Sequence, residues 1–398
     1  MQFSPLSPIE LDGTFTNELL EKAEYITIES PKLLGGYNDV VINEIKNLLR
    51  VTNSYYSNRI ESEGTHPINI EKAMNKEFLE DTKESQLQHL SLAYIDTQKY
   101  LETQISVLGK FPFDLEFQKN IHKFFYSYEG MESFLKIKKD DGFINMIPGE
   151  LRKRDVKIGS HIGIPYKNLE STLIEFNNAY SNTVKYGMKA HKILNIFSAH
   201  HRFLWIHPFL DGNGRTSRLL TDALIDFIGI EGHGLWNLSR GLARNNTKYK
   251  SLLAAADEIR TNDYDGRGNL TKRGLYNLVN FMLDVSIDQI EYMNSVLRIK
   301  ELVERIDNYV FFSREKMYKI DPLPKHTNTL LKELLIKGTL KRGDVHKVIG
   351  SKQTLASELI KELLKRNYIQ SDTPRGDIRI KFNAHFAMKI FPELIPDI

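Results

Sequence analysis

Residues 207–218 read His207-Pro208-Phe209-Leu210-Asp211-Gly212-Asn213-Gly214-Arg215-Thr216-Ser217-Arg218. A base-capable imidazole, a metal-capable carboxylate, a glycine-bracketed turn and two guanidiniums fall within this one short run. Leu219, Leu220, Ala223, Leu224 and Phe227 follow at helical spacing. Pro208 disfavours a continuous helix through this point, and Gly212 and Gly214 permit backbone conformations that a side chain would block. The segment therefore reads as a tight loop running into a helix N-terminus. The free N–H groups of such a turn form an anion site, and Arg215 and Arg218 lie three apart on one face of the first turns. A polyphosphate, with Mg2+ held by Asp211, would satisfy these N–H groups, both guanidiniums and the carboxylate.

The same run resembles the active-site motif of the Fic family, His-x-Phe-x-Asp/Glu-Gly-Asn-Gly-Arg-x-x-Arg, with every specified position filled. That family is predominantly one of protein adenylyltransferases, which move AMP from ATP to a hydroxyl side chain of a target protein. The resemblance implies His207 as general base, Asp211 as the ligand of a Mg2+ bridging the α- and β-phosphates, and Arg218 as the holder of the γ-phosphate. It implies Gly212, Asn213, Gly214, Arg215, Thr216 and Ser217 as the rest of the nucleotide cradle, with Asn213, which also reaches a left-handed backbone easily, in a partly conformational role. The chemistry agrees: an imidazole suits proton removal from a hydroxyl near neutral pH, and a polarising cation suits attack at phosphorus. Arginine forks suit phosphate oxygens. Phe209 resembles a core anchor for the loop, and Pro208 shapes its backbone.

A second constellation, Tyr55-Tyr56-Ser57-Asn58-Arg59-Ile60-Glu61-Ser62, resembles the family's inhibitory helix motif, Ser/Thr-x-x-x-Glu-Gly/Asn. Ser57 and Glu61 are in register, while Ser62 stands where glycine or asparagine is usual. Glu63 is the alternative, but Arg59 then occupies the Ser/Thr position. A glutamate on Arg218 would pair with the guanidinium meant for the γ-phosphate and leave ATP in a non-productive pose. Residues 152–166, with Arg152, Lys153, Arg154, Gly159 and Gly163, suit a short hairpin or flap. The resemblance implies that this flap docks the target protein by β-augmentation. Asn245 and Tyr249 match a family segment near the nucleotide, whereas Asn246 and Lys250 depart from it.

The rest of the chain narrows the classes open to it. At 398 residues it has room for two or three domains and a sizeable core. The absence of cysteine excludes disulfide scaffolds, thiolate zinc sites and cysteine nucleophiles. A formal net charge of +3 neither demands nor excludes nucleic acid. No stretch is apolar enough for a membrane span, and the N-terminus lacks a basic region before an apolar one, so cytoplasmic residence and no membrane partner are expected. Helical patterns dominate: 13–30, 39–50, 84–108, 114–128, 168–178, 184–204, 215–228, 238–256, 271–300 and 303–315. The reading is an all-α, Fic-fold helical bundle with a small β-hairpin flap. Beyond Pro322-Leu323-Pro324, three helices and a strand pair read as a winged helix-turn-helix domain, the third helix burying Leu355, Ile360, Leu363 and Leu364. The expected division is 1–110 for the region with the inhibitory motif, 111–305 for the catalytic domain and 320–398 for the winged domain.

These readings lead to a protein adenylyltransferase that uses ATP and Mg2+ on a Tyr, Thr or Ser hydroxyl of a target or of itself, autoinhibited by Glu61. Removal of AMP by the same site stays open, with Glu61 positioning water and His207 protonating the leaving hydroxyl. A regulator that also binds DNA is the third reading. It would use Ser351, Lys352, Gln353, Thr354 and Lys361, with Arg375, Arg379 and Lys381 on the wing. Homodimerisation is also left open.

Overall fold

The computed structural model describes residues 6–11, 14–139, 142–159, 161–266 and 268–396. Its first helices are α1 (Thr14–Glu29), α2 (Asp39–Ile60), α3 (Pro67–Met74), α4 (Thr82–Glu102) and α5 (Leu115–Tyr126). Local chemistry explains the boundaries. Pro67 starts α3, where its missing N–H costs nothing. Asp81 and Asp114 cap α4 and α5 through Glu84 N at 2.9 Å and Phe117 N at 2.9 Å. Two antiparallel hairpins follow, β1 (Lys136–Lys139) with β2 (Gly142–Asn145) and β3 (Lys157–Ile158) with β4 (His161–Ile162). The flap is therefore a hairpin, as its composition suggested. The β1–β2 pair was not foreseen, because its described residues have no buried face to give an alternating pattern.

Helices resume with α6 (Leu169–Lys185), α7 (Lys189–Ile206), α8 (Asn213–Phe227), α9 (Leu238–Arg244), α10 (Asn246–Ala256) and α11 (Lys272–Val296). Every residue of α7 from Ile193 to Phe203 is buried, and α1, α6 and α8 pack around it. The expected helix 238–256 is two helices, broken at Asn245. The chain ends with α12 (Ile299–Arg314), α13 (Thr327–Lys337), β5 (Thr339–Leu340), α14 (Val345–Val348), α15 (Gln353–Lys365), β6 (Ile369–Gln370), β7 (Ile378–Ile380) and α16 (Ala384–Ile390). The architecture is thus a helical bundle with small antiparallel β elements. No helix among the described residues is long and apolar enough to cross a membrane.

Two compact units divide the chain, residues 1–31 with 53–290 and residues 32–52 with 291–398. The division runs through α2, one uninterrupted helix. In the second unit, α13, α14 and α15 accompany a three-stranded antiparallel sheet in the order β5-β7-β6. Leu330, Leu334, Leu363, Ile378, Ile380 and Phe386 form its core. Leu355, expected among the buried positions of α15, is exposed; the buried stripe is Ala356, Leu359, Ile360 and Leu363. Arg379, read as a phosphate contact, is engaged within this unit: Nε meets Glu44 at 2.8 Å and Nη2 meets Asp372 at 2.7 Å. Glu44 is buried on the first half of α2, so the pair anchors that half to β7.

Candidate active site

Helix α7 stops at His207, which takes a left-handed backbone with φ 52° and ψ 62°. A residue with a Cβ holds that conformation only when its surroundings impose it. Arg152 supplies the restraint. Its Nε donates to His207 O at 2.8 Å, and its backbone N–H donates to Pro208 O at 2.9 Å. Nη1 and Nη2 donate to the carbonyls of Arg154 and Ile164 at 2.8 and 2.5 Å. Arg152 is buried, so this one side chain ties the flap to the loop that carries His207. On the flap, His161 Nε2 pairs with Trp205 O at 2.8 Å, and Ile158 and Ile162 face outward. Burial lowers the pKa of His207 to about 4, so the imidazole is neutral at pH 7 and able to accept a proton.

Between His207 and α8 the chain turns tightly. The Asn213 amide spans the turn, accepting from Phe209 N at 2.9 Å and donating to Phe209 O at 2.9 Å. Asn213 thus spends its side chain on shaping the loop. The left-handed position is Gly212, with φ 76°. Tyr126 lies against it so closely that a Cβ would collide with the ring. Gly212→Ala therefore combines backbone strain with overlap and should cost about 1–3 kcal/mol. An unchanged melting temperature would show that the turn tolerates a side chain. Thr216 N–H donates to Gly212 O at 3.0 Å and opens the helical ladder, so the N–H groups of Asn213, Gly214 and Arg215 precede the first such bond. Ser217 is buried against α7, its hydroxyl 3.1 Å from His200 Nδ1.

The C-terminus of α2 delivers two carboxylates to this turn. Glu63 N–H bonds Asn58 O at 3.0 Å and Ser62 N–H bonds Arg59 O at 3.0 Å, with Ser62 left-handed at φ 63°. This is a Schellman cap, in which glycine or asparagine is preferred at the left-handed position. The serine at 62 therefore keeps the geometry at some strain. Glu61 Oε1 accepts from Arg218 Nη2 at 2.8 Å, and Arg218 also donates to Ser57 Oγ at 2.8 Å and Ser57 O at 3.0 Å. Glu63 pairs with Arg215, which further donates to Asn58 Oδ1 at 3.0 Å and Tyr126 Oη at 3.0 Å. Both proposed readings of the inhibitory glutamate thus meet an arginine, but Glu61 alone meets Arg218. Burial pushes the Glu61 pKa up, but the charges of Arg218 and Arg215 outweigh it and hold the carboxyl below its usual range. A Cβ on Gly214 would run into that carboxylate, so Glu61 stands on the N-terminal turn of α8 where an anion would sit.

Asp211 is exposed; its Oδ1 accepts from Gly212 N–H at 2.7 Å, and its carbonyl meets His122 Nε2 at 3.2 Å. Tyr249 is buried, with its hydroxyl 2.6 Å from His200 Nε2 and close enough to Arg218 to share its field. It therefore lies behind the arginine. Asn245, at the exposed break between α9 and α10, donates to Gly241 O at 3.0 Å. The neighbouring Asn246 reaches Ile60 O at 3.4 Å. Sequence reasoning missed His122, Tyr126 and Asn58. His122 and Tyr126 sit four apart on α5, a spacing indistinguishable from ordinary core aromatics.

Residues 112–225 match the model of the Fic/DOC family, so the chain carries a Fic/DOC-family domain. It is 35% identical over 77 residues to Protein adenylyltransferase Fic of Drosophila willistoni, 19% of this chain and 15% of that protein. With Protein adenylyltransferase Fic of Drosophila melanogaster it shares 37% identity over 81 residues, again 19% and 15%. The matched stretch thus spans less than a sixth of these relatives. Among solved structures, a Fic family protein from Desulfovibrio desulfuricans superposes with TM-score 0.52 at 13% identity, over 94% of this chain and 98% of that one. Fic-1 from C. elegans superposes with TM-score 0.53 at 13% identity, over 71% of this chain and 72% of that one. At such identities the likeness is one of fold.

Proposed function

We propose that the chain is a Mg2+-dependent protein adenylyltransferase restrained by its own α2. One observation carries this reading. A neutral His207 and the Asp211 carboxylate flank a helix N-terminus backed by two buried guanidiniums, and an internal carboxylate sits where a phosphate would bind. The buried Asn58 Nδ2, beside Arg215 and without a hydrogen-bond acceptor, also fits an anion at this place. The relatives' activity agrees with this chemistry.

In this reading Arg218 and Arg215 hold phosphate oxygens, and the α8 N-terminus adds N–H donors. His207 takes the proton of a Tyr, Thr or Ser hydroxyl as its oxygen bonds to the α-phosphorus. The bond from that phosphorus to the bridging oxygen breaks, and pyrophosphate leaves. Asp211 would hold Mg2+, which supplies charge neutralisation at the phosphates. Among the described residues no group of three or more His, Asp or Glu side chains is arranged to hold a metal. The shell would therefore be completed by phosphate oxygens and water. The flap 152–166 offers exposed strand edges to the target segment. The three helices and antiparallel sheet of residues 327–380 support a winged helix-turn-helix reading of that region, with Arg379 serving α2.

The test is incubation with Mg2+ and ATP labelled at the α- or the γ-phosphate. Label transferred from the α position alone, and lost in Asp211→Ala, is the expected outcome. Transfer from the γ position would replace this reading with phosphotransfer. An unchanged Mg2+ dependence of ATP binding in Asp211→Ala would make that residue a structural cap.

A further inference from the structure

We infer that His122 is a positioning residue that sets the direction of the Asp211 carboxylate; this rests on the function proposed above. The tautomer of His122 follows from its partners. Gly149 N–H can only donate, and it lies 2.9 Å from Nδ1, so Nδ1 is the acceptor. The proton is then on Nε2, which donates to Asp211 O at 3.2 Å. The ring is fully buried and stacks on Phe209 with centroids 4.0 Å apart and planes 16° apart, so it has no other orientation available.

The carbonyl of Asp211 and the N–H of Gly212 belong to one trans peptide unit and point in opposite directions. His122 holds the carbonyl end. At the other end, Gly212 N–H holds Asp211 Oδ1 at 2.7 Å. Rotating that peptide plane would therefore release both contacts, and the carboxylate direction is set by the imidazole on the far side. Tyr126, one turn along α5, lies against Gly212, the second residue of that peptide unit, and is itself held by Arg215. The other nitrogen of the same ring fixes Gly149, three residues before the Arg152 that tethers the flap.

The two ring nitrogens can be tested separately in a Glu61→Gly chain, measuring ATP affinity by calorimetry with Mg2+ and with chelator, and melting temperature alongside. In His122→Asn the amide oxygen replaces the Nδ1 acceptor and the donor to Asp211 is lost. In His122→Gln the amide nitrogen replaces the Nε2 donor and the acceptor for Gly149 is lost. Outer partners of metal ligands typically carry about 10–100-fold of metal affinity. His122→Asn should lose about that much of the Mg2+-dependent tightening while chelated ATP binds as before, and His122→Gln should keep it. If neither variant changes the Mg2+ dependence, or if both weaken ATP equally with and without Mg2+, His122 is only a core residue and the inference is wrong. If Glu61→Gly itself shows no Mg2+ effect, the proposed function fails first, and the assignment of His122 fails with it.

Discussion

Replacing His207 by alanine should lower AMP transfer by about 10²–10⁴-fold, the usual loss of a general base, while ATP affinity stays within a few fold. The reason is spatial. The imidazole sits on the α7 side of the turn, and the phosphate-directed groups sit on α8 and its N-terminus. The pH profile adds an independent check. Burial holds the His207 pKa at about 4, so the basic form persists above that pH and is lost as pH falls through it. Transfer should therefore be flat from about pH 8 to 5, whereas an ordinary histidine would begin to lose its basic form near 6.5. Near-normal labelling by His207→Ala would remove it as the base. A midpoint near 6.5 that belonged to His207 would show that the working site is more open to water than this one.

Glu61→Gly should raise AMP transfer about tenfold or more, and Arg218→Ala should lower it. The double variant should behave like Arg218→Ala, because in the proposed function the γ-phosphate would take the guanidinium that Glu61 holds. A hydrogen bond to a charged group contributes about 1.5–3 kcal/mol, and about 1.4 kcal/mol is a factor of ten. Glu63→Gln should activate less, since Arg215 remains tied to Asn58 and Tyr126. If Glu63→Gln activates and Glu61→Gly does not, the inhibitory register shifts by two residues. If neither does, the C-terminus of α2 is not an inhibitor.

The turn from His207 into α8 was legible because its information is local: a glycine pair, a proline and two arginines at fixed spacing leave few backbones to choose from. The shelf beneath it was not. His122 and Arg152 act on carbonyls of residues 207, 208 and 211, and backbone carbonyls carry no sequence signature. Arg152 was read only as one of three basic residues of the flap; its neighbours Lys153 and Arg154 are exposed, and only the fold reveals the buried carbonyls that Arg152 faces. Asn213 was read as a cradle residue whose role is partly conformational; its amide closes on Phe209, while the left-handed position falls on Gly212. In the second unit, Leu355 was taken as buried because an apolar residue early in α15 fits the helical period. The helix places Ala356 and Leu359 inward instead. The interleaving of residues 32–52 with 291–398 could not be read either, since a division along the chain has no way to express it.

Within the first unit, the last turn of α2 offers Arg218 more than one partner. Besides the Glu61 carboxylate, the guanidinium donates to the Ser57 hydroxyl and to the Ser57 carbonyl. Removing the carboxylate would therefore leave the arginine docked on α2 by two neutral contacts. Its fork would keep its place and its charge would be left uncompensated, which is the condition under which an incoming anion binds best.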